Sequence, residues 1–301
     1  MKETFTHFES GLIFRSVAEG SKPLAANHRL RLELERDDLK LNASDLLRPQ
    51  WANRYDALAG LESDYRQWRT KVFGGIGDEG AVYGANLTRV LGHDQDLTFA
   101  VHGNQRATDS LLLEVLHGRE DELFLAWHTH LYPEILANLK LQGRRVLLGG
   151  ETLGYGYSVD LNLERVVLKN VPELHLGYRG LITGFSQSSE NIGLVAGVAA
   201  PGISDDDKRL LLNNLVSPIN DHSLFLSWQQ TINPAWTWHA LAGSDYSVTR
   251  SSFGQTIEAG LSCSPSRSTE LILSAGYSTS ASISEQDPKR LELSFAFRYR
   301  F

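Results

Sequence analysis

The chain has 301 residues, of which 42% are hydrophobic, and its formal net charge is −7 with a pI near 5.8. This acidic balance argues against a nucleic-acid ligand, because phosphate binding needs a basic surface. No run approaches about 18 apolar residues, so no transmembrane helix is predicted, although barrel strands need only about 9–11 alternating residues to cross a membrane. The single cysteine, Cys263, excludes an intrachain disulfide.

The amino terminus predicts a domain of a longer precursor. Met1 is the only methionine, and with Lys2 and Glu3 it looks like a start added to a cut-out domain. No charged-then-apolar signal peptide follows. We therefore expect residues 1–301 to form a single domain, with an export signal and a further region encoded upstream.

Alternation of apolar and polar residues recurs along the whole chain. Successive side chains of a strand point to opposite faces, so this pattern predicts strands with one apolar and one polar face. Residues 28–36, for example, place three leucines on one face and two arginines followed by two glutamates on the other. The predicted strands are 4–15, 28–36, 53–62, 65–77, 80–90, 95–104, 110–118, 121–131, 135–145, 151–164, 173–184, 191–200, 222–232, 236–246, 253–262, 271–278 and 291–301.

A closed antiparallel barrel needs an even number of strands, so we expect about 16 and one wrong segment. The region 110–150 is the expected place for the error, because Leu111–Leu113 and Leu147–Leu148 interrupt the alternation. A hairpin at Asp37–Asp38 is an alternative that would change the count again.

The final segment gives the clearest indication of a membrane barrel. Residues 291–301 carry leucine, phenylalanine and tyrosine on one face and mostly polar residues on the other, and they end at Phe301. The pair Trp236 and Trp238 begins another strand on its apolar face and favours an aromatic girdle at the membrane surface. The fold class predicted is all-β, a transmembrane antiparallel outer-membrane β-barrel.

The connections predict which end of the barrel faces the periplasm. Short linkers at 233–234 and 265–268 alternate with longer ones at 201–221 and 283–288. Outer-membrane barrels have short periplasmic turns and long extracellular loops. The long loop has a candidate helix that starts at the N-cap Ser204 and runs to Leu215. We expect the loop to gate the pore, with Pro201, Ser204, Asp205, Asp206, Asp207 and Asp221 as its marking residues.

The polar faces of the strands predict a water-filled lumen, because charges in a dry core would be very costly unless paired. The candidate substrate-path acids are Glu33, Glu35, Asp160, Glu164, Asp245, Glu258, Glu270 and Glu292, and the lumen bases are Arg29, Arg31, Arg179, Arg298 and Arg300. Acids outnumber bases on these faces. An interior field favouring cationic or neutral polar cargo and plain solvation with cross-strand ion pairs both explain this excess.

Motifs for catalysis are scarce. Neither a P-loop nor a nucleophile elbow occurs. His128 and His130 share a strand face and could present two metal ligands, but a polar lumen lining is favoured for them. The sequence predicts no enzyme activity, no cofactor and no metal.

The terminal strand Leu291–Phe301 resembles the assembly signal of Gram-negative outer-membrane barrels. The whole chain, with about 16 strands and no signal of its own, resembles the carboxy-terminal barrel of the exopolysaccharide-export porins, a family that includes the Pel, poly-N-acetylglucosamine and cellulose exporters. Its Pel member is the nearest, since that cargo is cationic and the inner faces here are acidic.

This resemblance implies passive conduction of a growing polysaccharide across the cell outer membrane, with no covalent chemistry. It also implies partners: outer-membrane lipid, the barrel assembly machinery, a periplasmic lipoprotein or helical scaffold, and a synthase complex in the inner membrane. The alternatives are a general or substrate-specific diffusion porin, the translocator of a protein secretion system, an outer-membrane enzyme, and a soluble all-β protein. The unpaired inward charges make the last of these the least favoured.

Overall fold

A computed structural model describes residues 1–8, 11–92, 94–108, 110–169, 172–266, 269–279 and 289–299. They form one closed antiparallel sheet of 16 strands, in which each strand pairs with its sequence neighbours and the first closes on the last. The strands are β1 Lys2–Phe8, β2 Gly11–Ala25, β3 His28–Leu41, β4 Gln50–Tyr65, β5 Trp68–Gly77, β6 Gly80–Gly92, β7 Gln95–Arg106, β8 Arg119–Tyr132, β9 Ile135–Leu148, β10 Glu151–Leu168, β11 Glu173–Gln187, β12 Ile219–Asn233, β13 Trp236–Ser247, β14 Ser252–Ser266, β15 Thr269–Ser278 and β16 Arg290–Tyr299.

Helical structure is confined to the connections. The helix α1 spans Leu111–Val115, α2 spans Asp205–Asn213, and one 3₁₀ turn covers Ile192–Val195. No described helix is long and apolar enough to cross a bilayer.

The strand number agrees with the sequence prediction, but three segments were assigned wrongly. The segment 4–15 contains β1 and the start of β2. The segment 110–118 forms α1, because its leucine run follows no two-residue period. The segment 191–200 lies in the β11–β12 loop and forms the 3₁₀ turn. The alternative hairpin at Asp37–Asp38 is also wrong, since both residues lie inside β3.

Alternation gives the barrel two surfaces of different chemistry. On β3, Leu32 and Leu34 are 52% and 59% exposed on the outside, whereas Asp37 on the other face is fully buried. Leu293 and Phe295 of β16 are likewise exposed outward. An apolar outer surface that continues around the barrel is expected only where lipid covers it. The face prediction for the terminal strand is confirmed through Phe297, while Arg300 and Phe301 lie outside the described residues.

The two ends of the barrel differ in their connections. At one end the described turns are short, at 26–27, 66–67, 133–134 and 234–235. The other end carries the three long described loops, 42–49, 107–118 and 188–218. By the habit of outer-membrane barrels, the short turns mark the periplasmic end and the long loops mark the outer end.

The predicted loop helix is confirmed as α2. The side chain of Ser204 accepts a hydrogen bond from Asp207 N at 3.1 Å, and Asp207 Oδ2 accepts one from Ser204 N at 3.2 Å, which together form a capping box. The helix ends at Asn213 rather than at Leu215. Asp221, predicted to lie in the loop, is instead a buried residue of β12, because the strand begins at Ile219.

A hydrophobic core lies inside the barrel at its outer end. It joins apolar residues of the three long loops to inward-facing residues of β2, β3, β9 and β10. In a ring of 16 strands, β2–β3 and β9–β10 lie on nearly opposite walls, so the core spans the lumen. Its fully buried members include Leu39, Leu41, Leu113, Val146, Leu153, Val195 and Leu215.

Candidate pore and its plug

The three long loops fold together into one body, which we call the plug and define as residues 42–49, 107–118 and 188–218. Leu47 and Ala199 form a β-bridge, and Arg48 N donates to Val198 O at 2.8 Å. Ser110 Oγ, the N-cap of α1, donates to Leu215 O at 3.0 Å. Because each loop bonds to another as well as to the wall, the plug should move as a unit.

An ion network joins strands of the wall next to the plug. The carboxylate of Asp37, on β3, accepts hydrogen bonds from Arg15 of β2 at 2.8 and 2.9 Å and from Arg106 of β7 at 2.7 Å. Arg106 also donates to Asp56 of β4 at 2.6 Å. Asp37 and Asp56 are buried, so water hardly screens their attraction to the arginines, and each buried charge depends on its partners.

The network continues where the loop 107–118 meets the wall. Arg119, at the start of β8, donates to Asp56 at 3.1 Å and pairs with Asp78 in the β5–β6 turn. The fully buried Arg54 donates to Asp78 at 3.3 Å and to Gly118 O at 2.9 Å. His117 also hydrogen-bonds Asp78. These contacts hold the end of the loop against β4 and the neighbouring turn.

Glu114 brings a carboxylate of α1 into this network. Arg15 donates to its Oε2 at 3.3 Å. Burial raises the pKa of Glu114 to about 7, and the positive charge of Arg15 offsets only part of that effect. Burial also lowers the pKa of His117, helped by the neighbouring Arg54. Near neutral pH the plug therefore contains a carboxyl group that titrates.

Below the plug the lumen is open and polar. A cavity of about 690 Å³ is bounded by both walls, with Lys140 of β9 on one side and Asp245 and Thr256 of β13 and β14 on the other. A second cavity of about 170 Å³ lies against β3–β7 and is bounded by Arg31, Glu33 and further residues of that wall.

Most of the predicted lumen acids have a base beside them. Glu35 belongs to the plug network, at 3.1 Å from Arg15 and 3.3 Å from Arg106. Glu33 lies 3.7 Å from Arg31, and Asp160 pairs with Arg179 at 2.6 Å. In the remaining pairs, Glu164 meets His175, Glu258 meets His239 at 3.7 Å, and Glu292 meets Arg290.

The other predicted residues are placed by contacts or by register. Asp245 accepts a hydrogen bond from Thr256 at 3.1 Å and faces the large cavity. Glu270 lies opposite Arg298 across β15 and β16. Arg29 lies opposite Glu62, and Arg31 pairs with Glu19 at 2.9 Å as well as with Glu62 at 3.3 Å. Cross-strand pairing therefore uses much of the acidity predicted for the lumen.

Sequence reasoning missed the network that fastens the plug. Arg54, Asp56 and Arg106 lie in predicted strands or beside them, and nothing local distinguishes them from solvated lumen charges. One available signal was Leu39 and Leu41, which put leucine on the polar face of β3. Apolar residues on the lumen-facing side of a strand indicate that this end of the barrel is filled by protein rather than by water. Leu153, assigned to the lipid face, is buried in the core because a bulge between Thr152 and Gly154 turns it inward.

His128 and His130 have polar surroundings. His128 hydrogen-bonds Asn138 and lines the large cavity, and His130 lies 3.9 Å from Asp94. No group of three or more potential metal ligands occurs among the described residues.

Known structures share this architecture. No family model and no curated protein matches the chain. A solved structure described as a bacterial polysaccharide outer membrane secretin matches with a TM-score of 0.66 and 9% identity over 100% of this chain and 97% of that one. An anion-selective porin from Comamonas acidovorans (TM-score 0.49, 10% identity, 100% and 96% coverage) and Pseudomonas aeruginosa OccK11 (0.48, 11%, 100% and 94%) are also similar. The fold assignment depends on the first of these and on the strand topology.

The chain is an outer-membrane β-barrel. Its closed sheet of 16 strands, its apolar outside and its polar inside are those of a barrel that spans the outer membrane. The lumen below the plug is the candidate path, and the plug is the candidate gate.

Proposed function

We propose that this barrel is the outer-membrane exit through which a secreted polysaccharide leaves the cell, and that the plug opens when the polymer passes. The observation that carries the proposal is that the lumen has two parts of different polarity. A polar space suited to a sugar polymer lies below a dry plug that covers the outer end. The likeness in fold to a polysaccharide outer membrane secretin supports it.

Transport in this proposal is passive. Hydroxyl groups of the polymer exchange hydrogen bonds with the paired charges of the lumen, such as Asp160 with Arg179. Each contact is weak and many are available, so the chain can advance without being held at one place. A periplasmic scaffold or lipoprotein that delivers the polymer to the short-turn end is part of the proposal, as is assembly by the barrel machinery.

The charge of the cargo stays a prediction. The sequence favours a cationic or amino-sugar-rich polymer, and the ion pairs reduce the number of acids that can attract it. Asp245, Glu258, Glu270 and Glu292 occupy four consecutive strands, β13 to β16, and we call them the acidic wall, in which Glu258 lies 3.7 Å from His239 and Glu292 pairs with Arg290. Ion selectivity in planar bilayers measures their effect, and anion preference would contradict the acidic-lumen prediction.

A general diffusion porin is the second candidate. The balance of acids and bases around the large cavity favours it, because such a lumen admits small solutes of either charge. The plug argues for control of a larger cargo.

Deletion of the gene in its host separates these functions. For an exporter, polysaccharide assayed as hexosamine and total sugar should collect in the periplasm and disappear from the medium, and the intact gene should restore secretion. Unchanged secretion with slower uptake of small solutes would establish the diffusion porin instead.

Neutralising the acidic wall tests the path itself. The variant Asp245→Asn, Glu258→Gln, Glu270→Gln, Glu292→Gln should assemble normally but export less polymer. Its control is Asp38→Asn, which removes a half-buried acid on the outer face of β3 that pairs with Arg36. Normal export by the fourfold variant would show that these acids serve only for solvation.

A further inference from the structure

An aromatic row lies on the lumen wall formed by β5, β7 and β8. The rings of Phe73 and His102 meet edge to face with centroids 5.3 Å apart, and those of His102 and Phe124 do so at 5.5 Å. Gly84 of β6 provides the space, because a Cβ there would come within 2.4 Å of Phe73 Cζ and 2.6 Å of His102 Cδ2. We call Phe73, His102 and Phe124 the aromatic row.

The central ring is fixed by polar partners. Nδ1 of His102 donates to Glu122 Oε1 at 2.5 Å, and Nε2 lies 2.7 Å from Asn86 Oδ1. Gln142 donates to the other oxygen of Glu122 at 2.6 Å. The carboxylate of Glu122 is therefore occupied within the wall, and the row is held in one orientation.

A lysine ammonium group lies over each of the two phenylalanine rings of the row. Lys71 Nζ lies 5.2 Å from the Phe73 centroid, and Lys140 Nζ lies 4.4 Å from that of Phe124. No described carboxylate lies within ion-pair distance of either ammonium group. These two cations therefore keep their hydrogen-bonding capacity for a partner in the lumen.

The row connects the two lumen cavities. Lys71, Phe73 and His102 line the smaller one, and Lys140 lines the larger one. In a ring of 16 strands, β5–β8 lie opposite β13–β16, which carry the acidic wall. The larger cavity contacts both sides, since Asp245 also lines it. The wall that carries the aromatic row and the two lysines therefore faces the wall that carries Asp245, and the larger cavity also contacts Asp96 of β7 and Arg290 of β16.

This pairing of surfaces fits one class of ligand. Half-exposed phenylalanine rings gain little in a water-filled lumen, whereas they bind the apolar C–H faces of pyranose rings. Lysine ammonium groups donate to sugar hydroxyl oxygens and repel amines, and the acidic wall attracts amines. We propose that the aromatic row is a stacking site for the pyranose rings of an amino-sugar polymer, whose amino groups point toward Asp245 and the acidic wall. This inference rests on the proposed polysaccharide cargo.

Calorimetric titration of the detergent-solubilised barrel tests the site with three defined hexamers, of glucosamine, of N-acetylglucosamine and of galacturonate. The glucosamine hexamer should bind most tightly. In the double variant Phe73→Leu, Phe124→Leu its Kd should rise about tenfold, because leucine keeps apolar volume but provides no ring face. Asp245→Asn should remove the preference for glucosamine over N-acetylglucosamine.

The matched control is Phe225→Leu, which changes a phenylalanine of β12 that lines the larger cavity outside the row. It should alter the Kd by less than about twofold. Phe124→Tyr keeps the ring and should bind like the parent, which separates stacking from folding defects. Equal loss in Phe225→Leu and the double variant, tighter binding of galacturonate, or no binding of any hexamer would overturn the proposal.

The two proposals fail separately. Row-dependent binding together with unchanged secretion after gene deletion would refute the export function alone. Secretion that requires the barrel, together with hexamer binding that ignores the row, would refute the stacking site alone.

Discussion

The outer and inner halves of the same strands differ in how they treat charge. Along the inward face of β3, Glu33 borders a cavity, whereas Asp37 is fully buried and is followed by the buried Leu39 and Leu41. In the wet half, ion pairs such as Asp160 with Arg179 contribute little, since water screens them. In the dry half, a buried charge is stable only while its oppositely charged partner is present. Acidic and basic side chains are therefore solvated in the lumen below the plug, whereas at the outer end the same residue types form buried ion pairs that hold the plug in place.

The largest effect is expected from breaking the network at its centre. Asp37→Ala removes the fully buried carboxylate that accepts from both Arg15 and Arg106 and leaves them the partly exposed Glu35 as a shared partner, and loss of one partner from a buried pair costs about 3–5 kcal/mol. The plug should detach, and single-channel conductance should increase.

The control is Asp160→Ala in the wet half, for which we expect about 0–1 kcal/mol and little change in open probability. Equal effects of the two substitutions would remove the distinction between the halves.

Two leucines of α2 test how much hydrophobic burial stabilises the closed plug. Leu212 is 2% exposed, and Leu212→Ala should destabilise the closed plug by about 2–5 kcal/mol through lost burial and a cavity. Leu210, 49% exposed on the same helix, is the matched control. Protease cleavage in 188–218 should accelerate only for the Leu212 variant, and equal cleavage of both would place α2 outside the core.

Plug closure should depend on pH through Glu114. Its pKa is raised to about 7 in the closed plug, so the open form, with an ordinary carboxyl, loses its proton first as pH rises. Closure is therefore strongest at and below about pH 4.5 and weakens as the pH rises to about 7, by on the order of 3 kcal/mol. Conductance should be greater at pH 8 than at pH 5.

Glu114→Gln should abolish this dependence. Because burial lowers the pKa of His117, the remaining trend in that variant should reverse, with acid favouring the open form. A conductance that rises with pH equally in both proteins would assign the effect to another group.

The smallest effect concerns the cap of α2. Ser204→Ala removes the acceptor for Asp207 N and should cost about 1 kcal/mol. A modest increase in plug opening is expected, well below that of Leu212→Ala. An effect as large as that of Leu212→Ala would show that the helix, rather than its packing, limits closure.

The sequence predicts the barrel well because a period of two is a local property, visible in segments such as 28–36 and 291–297. It also predicts α2, because the capping residues Ser204 and Asp207 lie only three positions apart in the chain. It does not predict the plug, since the contacts of Leu47 with Ala199 and of Asp37 with Arg106 join distant positions. Alternation predicts which face the lumen acids share, but their pairing depends on register, which alternation alone leaves open.

The most direct test of the account is single-channel recording of the barrel before and after replacement of residues 202–214 by a short glycine–serine linker. A lumen closed at its outer end by the plug predicts rare, small openings for the intact chain and a large, steady conductance for the variant. The same small conductance in both would contradict the account, because α2 would then not close the path.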